Sequence, residues 1–167
     1  FSFLDHGLRK RGTVASPDGS LDFPTYAAAL WLTARRRVAV EDLPYDTWRS
    51  KLVAWLVKAQ VAEPRGFAAD SPSYGGWDFL GAGDAQGITT GTNISVTRYV
   101  AEALQGDLDW LQNTNGSRSL TEVQGMQKSL ELAKAYILRC QQADGGFAFT
   151  CEPASLNNKA AYADTEL

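Results

Sequence analysis

The chain alternates two kinds of apolar pattern, and both have the period of an α-helix. Residues 25–37 are apolar on almost every side over their first two turns, which is typical of a helix covered on both faces. Residues 46–60 instead carry a single apolar stripe, with apolar positions three and four residues apart. The same succession returns at residues 95–104 and 119–142. The pattern therefore predicts four helices in the order buried, amphipathic, buried, amphipathic.

The order of these patterns predicts an all-α fold built in two layers. Residues 25–33 and 97–104 are expected in an inner layer, and residues 47–60 and 120–141 in an outer one. The last helix should begin at a capping box, Ser119-Leu-Thr-Glu122, in which serine and glutamate satisfy each other's backbone donors. The long loops at residues 61–93 and 143–164 follow the amphipathic helices. Their aromatic residues favour internally packed loops.

A short motif recurs along the chain. An aromatic residue is followed two places later by phenylalanine in Phe1-Ser-Phe3, Trp77-Asp-Phe79 and Phe147-Ala-Phe149. The second and third segments follow Gly75-Gly76 and Gly145-Gly146, and Gln60 and Gln141 end the amphipathic helices before them. Such a glutamine can bond free backbone groups, and glycine permits positive φ where a helix ends. We expect these residues to be structural, with Trp77 and Phe147 mostly buried against the preceding helix.

The motif resembles the glutamine–tryptophan repeat of terpenoid cyclases such as squalene–hopene cyclase and oxidosqualene cyclase. Protein prenyltransferase β subunits share the same α/α-toroid architecture. The segments that begin at Asp22-Phe-Pro-Thr25 and Asn93-Ile-Ser-Val-Thr97 are similar to the starts of inner helices in that family.

This resemblance covers essentially the whole chain and implies an α/α-toroid of helical hairpins. Two repeat units form only part of a ring, so we expect residues 1–167 to be a single toroid segment of a longer chain. The alternative is another α-solenoid with Gly-terminated helices, although the tetratricopeptide and HEAT periods are about half as long or shorter.

The resemblance also implies where a catalytic acid would stand. The cyclases protonate their substrate with an Asp-x-Asp-Asp or similar acid, which needs an apolar pocket and a raised pKa. Neither form is present in full. The nearest candidate is Asp164, in Tyr162-Ala-Asp-Thr165, for which a helix N-cap is the alternative interpretation. Asp107-Leu-Asp109 matches by spacing alone and is expected as a solvated pair past the end of a helix.

The aromatic content suggests a ligand. Five Trp and seven Phe are many for 167 residues, and aromatic residues in such numbers fill cores or line apolar cavities. Tyr26, Trp31 and Tyr99 lie on the predicted inner helices and are candidates to contact an apolar, isoprenoid-type ligand, with a core role as the alternative.

No metal or cofactor is expected. His6, the only histidine, is far in sequence from Cys140 and Cys151, so a prenyltransferase-type zinc site is not predicted. The two cysteines could pair across a short loop or stay free.

Charge and hydropathy limit the kinds of partner that the sequence predicts. The net charge is −3, and the basic runs at residues 9–11 and 35–37 are expected at solvated ends of elements, without a continuous stripe for nucleic acid. No apolar run approaches 18 residues, so no membrane span is predicted.

Two functions remain open. One is an isoprenoid cyclase whose acid lies outside this segment. The other is a non-catalytic toroid protein that binds an apolar ligand or a protein partner. The sequence decides neither catalysis nor compartment.

Overall fold

The computed structural model describes residues 23–37, 45–81, 89, 91–114 and 119–151. Phe1-Ser-Phe3, His6 and Asp164 lie outside these ranges. Four helices form: α1 (Pro24–Arg37), α2 (Tyr45–Ala59), α3 (Ile94–Thr114) and α4 (Leu120–Arg139), with a 3₁₀ turn at Glu63–Arg65. The described ranges contain no strand, and their one isolated bridge joins Gln141 to Phe147. The all-α prediction is confirmed.

The four predicted helices are present, but α3 is longer than its apolar pattern indicates. It continues past Leu104 to Thr114, through Gly106. A Cβ at Gly106 would lie 2.1 Å from the Arg36 guanidinium of α1, so glycine there leaves room for the end of the Arg36 side chain. Arg36 also donates to the Ala103 carbonyl at 3.4 Å. A residue that looks like a helix end in the sequence is a packing position in the structure.

The predicted N-terminus of α4 is confirmed. Ser119 is the N-cap, and its hydroxyl accepts from the Glu122 backbone N–H at 3.2 Å. Such a cap satisfies one of the free amide donors of the first turn and stabilises the helix by about 1 kcal/mol.

The helices pack as two adjacent hairpins. Helix α1 contacts α2 and α3, and α4 contacts α3 and α2. Large side chains from all four helices and from the 61–81 loop are buried together in one core. Its members include Trp31, Leu52, Leu56, Trp77, Leu104 and Met126. Whether α1 and α3 are the inner layer of a toroid stays a prediction.

The near all-round covering expected of the first helices holds for residues 25–33, where Leu30 alone is exposed, at 48%. It is wrong for residues 97–104, since Tyr99 is 39% exposed and Arg98 and Glu102 form an exposed i,i+4 ion pair at 2.8 Å. Helix α3 therefore has one face that is open in this structure.

The expectation of a solvated Asp107/Asp109 pair is also wrong. Asp107 lies inside α3, fully buried, where it accepts two hydrogen bonds from the fully buried Arg49 of α2. Arg49 also lies 3.6 Å from Glu122 of α4 and 5.2 Å from the Trp110 ring. Asp109 alone is exposed. Together with Glu122, the buried pair links three helices. Removing one partner from such a pair typically lowers the free energy of unfolding by about 3–5 kcal/mol.

The basic run at residues 35–37 is solvated only at its end. Arg35 is 4% exposed and lies over the Trp31 ring, 5.7 Å from its centroid, whereas Arg37 is exposed. The aliphatic stem and planar guanidinium of arginine let it pack on an aromatic ring one turn away.

Candidate functional site

Four aromatic side chains meet at the N-terminal ends of α1 and α3. The Phe79 ring lies 5.1 Å from Phe23 and 5.9 Å from Tyr26, centroid to centroid. Tyr26 in turn lies 5.3 Å from Tyr99, edge to face, and its hydroxyl is hydrogen-bonded to Ser95. These separations are typical of favourable aromatic pairs. We call Phe23, Tyr26, Phe79 and Tyr99 the aromatic patch.

Local structure fixes the position of each ring. Phe23 has φ +49 directly before α1, and its carbonyl accepts from the Ala27 amide as the helix begins. The Phe79 carbonyl accepts at 3.3 Å from the Thr25 amide, one of the first-turn donors of α1 that have no partner within the helix. Tyr26 and Tyr99 stand on the adjoining helices. The patch therefore joins both hairpins to the loop that follows α2.

The aromatic patch is partly open to solvent. Phe23 is 56% exposed and Tyr99 is 39% exposed, whereas Tyr26 and Phe79 are half-buried. Leu30, one turn beyond Tyr26 on α1, extends the apolar surface. Contiguous exposed apolar surface of this kind marks sites of ligand or partner binding.

The structure separates the three ligand candidates of the sequence. Tyr26 and Tyr99 lie together in the patch, but Trp31 is 1% exposed and belongs to the core. Sequence reasoning missed Phe23 and Phe79 as members of the patch. The aromatic-x-Phe pattern could have pointed to Phe79, whereas the positive φ of Phe23 leaves no clear sequence signal.

A cavity of about 680 Å³ adjoins the patch at Tyr99. Its walls come from the first turns of α3, the end of α4 and the loop after α4, and its lining residues include Ile94, Arg98, Tyr99, Ile137, Phe147 and Phe149. Aromatic and aliphatic groups predominate, with the Arg98 guanidinium at the rim. This chemistry suits an apolar molecule better than a polar one.

The two Gln–Gly-Gly–aromatic segments share their backbone hydrogen bonds. In the first loop (residues 60–79), Val61 donates to Gly76 at 3.0 Å and Gly75 donates to Val61 at 2.7 Å. In the second loop (residues 141–149), Gln142 donates to Gly146 at 2.7 Å and Gly145 donates to Gln142 at 2.9 Å.

The side chains of Gln60 and Gln141 also match. Gln60 donates to the Gly75 carbonyl at 2.8 Å, and Gln141 donates to the Gly145 carbonyl at 3.3 Å. Both loops then return to the helix that opens their hairpin: Phe79 accepts from Thr25, and Phe149 accepts from Ile94 at 2.9 Å. The same sequence motif thus forms the same local structure twice.

Burial of the motif aromatics differs between the loops. The expectation for Trp77 is confirmed, since it is fully buried and its indole N–H donates to the Leu56 carbonyl of α2 at 2.7 Å. The expectation for Phe147 is wrong, since its ring is 39% exposed. Phenylalanine has no N–H to donate to α4, and the described residues leave its outer side open.

Buried polar groups fix the first loop. Arg65 donates to the Ala59 carbonyl at 2.8 Å and lies 3.4 Å from Asp78, which accepts from Thr89 at 2.7 Å. A hydrogen bond from Tyr74 lowers the pKa of Glu63 and raises that of Tyr74. The internal packing expected of this loop is confirmed for residues 61–81.

The described residues show no catalytic acid of the cyclase type. Asp164 is outside the described ranges, and Asp107 is held as a buried ion-pair partner. Those ranges also contain no group of three histidine, cysteine or acidic side chains placed to hold a metal ion. None of the described helices has the length and apolarity needed to cross a membrane.

No family model, curated protein or solved structure matches the chain.

Proposed function

We propose that this chain is part of an α/α-toroid of the terpenoid cyclase and prenyltransferase-like group, and that its aromatic patch contacts an apolar, isoprenoid-type ligand. The observation that carries the proposal is the partly open patch of Phe23, Tyr26, Phe79 and Tyr99 on the α1–α3 side of the fold. If the whole protein is a cyclase, its catalytic acid lies outside this segment.

The physical basis is the burial of apolar surface. Transferring an aromatic side chain from water to an apolar contact is worth about 1.5–3 kcal/mol. A ligand that covers Phe23, Leu30 and Tyr99 would bury the exposed parts of two aromatic side chains and one leucine. Aromatic faces also stabilise positive charge, so aromatic side chains are suited to line a site that holds a carbocation.

Two further observations support the toroid part of the proposal. Each loop returns to the start of its own hairpin, and the first loop also bonds the following hairpin through Gln60, which donates to the Ser129 carbonyl at 2.9 Å. Helices α1 and α3 pack together, as do α2 and α4. Such stacking is the arrangement of hairpins expected in a toroid or solenoid.

The alternative is a non-catalytic repeat protein whose apolar surface binds a protein partner. The leucine Leu138, 53% exposed, favours it because it lies at the end of α4, outside both the aromatic patch and the cavity that adjoins the patch. The two functions use different surfaces and can be tested separately.

Titration with farnesol, followed by NMR chemical shifts, tests the ligand proposal. Tyr99→Ala should weaken binding about 5–10-fold through lost aromatic contact, whereas Tyr99→Phe keeps the ring and should bind as the parent does. The matched control is Phe67→Ala, which removes a half-buried ring stacked under Arg65 and outside the patch. Equal weakening by Phe67→Ala, or shifts confined to residues outside the patch, would contradict the proposal.

The chain by itself is not expected to convert squalene, oxidosqualene or a prenyl diphosphate. Carbocation chemistry needs a positioned acid in a cavity that excludes water, and two hairpins leave the patch open. Incubation with squalene and product analysis against a protein-free blank checks this. Cyclised product above the blank would contradict this expectation and favour Asp164 as the acid over Asp164 as a helix cap.

A further inference from the structure

A pair of hydroxyl groups lies at the edge of the aromatic patch. The Tyr26 hydroxyl of α1 and the Ser95 hydroxyl of α3 are hydrogen-bonded to each other, and both side chains are half-buried. Ser95 stands one turn before Tyr99, so the two side chains lie on the same face of α3. Both also line the cavity that adjoins the patch. A ligand that lies over Tyr99 therefore reaches the hydroxyl pair.

The pair has hydrogen-bonding capacity that its own bond does not use. A hydroxyl group has one hydrogen to donate and two lone pairs to accept. The bond between Tyr26 and Ser95 uses one of the two hydrogens, whichever group donates, and the described residues provide neither side chain with a second hydrogen-bond partner. One hydroxyl hydrogen of the pair is therefore available to a ligand.

The cost of covering the pair depends on the chemistry of the ligand. Because both side chains are half-buried, solvent can accept the unused hydrogen while the patch is open. A ligand that displaces the solvent and offers only carbon leaves a buried donor without a partner, which weakens binding. A ligand with an oxygen atom at this point accepts the hydrogen. The rings of the patch thus favour an apolar molecule, and the hydroxyl pair favours one that carries an oxygen.

The neighbouring charges favour a neutral oxygen over an anionic one. Arg98 is the charged member of the cavity lining, and its guanidinium donates to the Glu102 carboxylate at 2.8 Å. That carboxylate cancels the charge of Arg98 and repels an incoming carboxylate or diphosphate. The patch and the cavity lining therefore offer an anion no uncompensated positive charge.

We propose that the Tyr26–Ser95 hydroxyl pair selects the ligand of the aromatic patch. The class selected is a neutral apolar molecule with one oxygen acceptor, such as a long-chain alcohol or its ether, in preference to a hydrocarbon, an acid or a diphosphate. This inference rests on the proposed function, because the pair acts only on a ligand that covers the patch. The rings alone cannot make this selection, since aromatic contact is similar for an alcohol and a hydrocarbon with the same chain.

Titration of the full chain with farnesol, farnesyl methyl ether and farnesene, each followed by NMR chemical shifts, tests the proposal. The double variant Tyr26→Phe/Ser95→Ala removes both hydroxyls. It keeps the aromatic ring in the patch and places a good helix former at position 95, and circular dichroism checks that the fold is kept. The matched control is Tyr74→Phe, which removes a hydroxyl that is bonded to Glu63 in the first loop, outside the patch.

Loss of both hydroxyls should weaken the binding of farnesol and of its ether on the order of 10-fold, because the ligand oxygen loses its donor. Farnesene should bind the double variant at least as tightly as the parent, because no hydroxyl is then buried unpaired. The control should bind all three ligands as the parent does. Comparison of each ligand with itself in the parent and the variant cancels the differences in hydrophobicity among the ligands. Farnesyl diphosphate should bind the parent no more tightly than farnesol.

Three results would overturn the proposal, and each differs from a failure of the proposed function. Equal weakening of farnesol and farnesene would give the pair a structural role alone, as a link between α1 and α3. Unchanged binding of farnesol by the double variant would show that the pair does not contact the ligand. Tighter binding of the diphosphate than of farnesol would contradict the selection of a neutral group. If the proposed function itself is wrong, none of the ligands shifts the patch residues of the parent, and the inference is wrong with it.

Discussion

The first and second loops have one local structure and two environments. Their glycines, Gly75 and Gly145, have nearly the same φ, +88 and +87, and their glutamines make the same bond to the loop carbonyl. Yet Trp77 is fully buried and Phe147 is 39% exposed. The comparison teaches that the short motif sets the course of the backbone, whereas burial of its aromatic residue depends on a neighbouring hairpin.

The two loops are also held in place differently. Helix α4 and a buried polar network hold the first loop, with Arg65, Asp78 and Thr89 as its members. A disulfide between Cys140 and Cys151 closes the second loop, and the described part of the chain provides no equivalent in the first. The covalent bond secures a loop that packing secures less well.

The largest expected difference between the loops is the cost of removing the aromatic residue. Trp77→Ala leaves a cavity in the core and an unpaired Leu56 carbonyl, so it should lower the free energy of unfolding by about 3–5 kcal/mol. Phe147→Ala removes a ring that is already partly in water and should cost about 1–2 kcal/mol. Urea unfolding followed by fluorescence measures both.

A phenylalanine variant of Trp77 separates the contribution of ring burial from that of the indole hydrogen bond. Trp77→Phe keeps an aromatic ring at the position and should recover part of the loss, because burial is restored but the indole bond is not. Equal costs for Trp77→Ala and Phe147→Ala would show that the second loop is covered in solution.

The disulfide gives the next largest difference. Closing a loop across a sequence separation of 11 residues should stabilise the folded chain by roughly 3 kcal/mol through the unfolded state. Cys151→Ala should therefore lower the unfolding free energy by about that amount. Amide exchange should rise in residues 142–150 more than in the first loop.

Reduction of the parent protein is the control for that substitution, since it breaks the bond and keeps both side chains. Similar losses from reduction and from Cys151→Ala would assign the effect to the bond. A loss on substitution alone would assign it to packing, for example the contact of the Cys151 sulfur with the Tyr136 carbonyl at 3.5 Å.

The elements themselves were predictable, because apolar periodicity and capping are local properties. Leu52, Leu56 and Ala59 of the predicted α2 stripe are fully buried, and Ser119 caps α4, as expected. The length of α3 was not predictable in this way, since Gly106 looks like a helix end until Arg36 of another helix is placed against it. Helix boundaries that depend on tertiary contacts escape a local pattern.

The candidate site was only partly predictable for a similar reason. Tyr26 and Tyr99 were found from their helices, but Trp31 points into the core and Phe23 into the patch. The rotation of a helix that is apolar nearly all round is not fixed by its own sequence. The Arg49–Asp107 pair, separated by 58 residues, likewise becomes visible only in three dimensions.

The smallest difference in unfolding free energy between the loops is expected when their glycines are replaced. This difference measures the contact of α4 with the first loop. Gly145→Ala should cost about 1–2 kcal/mol, because alanine at a left-handed φ is strained but its Cβ has open space. Gly75→Ala carries the same strain and also drives its Cβ to 2.5 Å from the Leu132 carbonyl, a backbone atom that moves only if α4 moves. Overpacking of that kind typically adds roughly 1–3 kcal/mol. Thermal unfolding of both variants at low protein concentration measures the excess. Equal costs would mean that α4 does not press on the first loop.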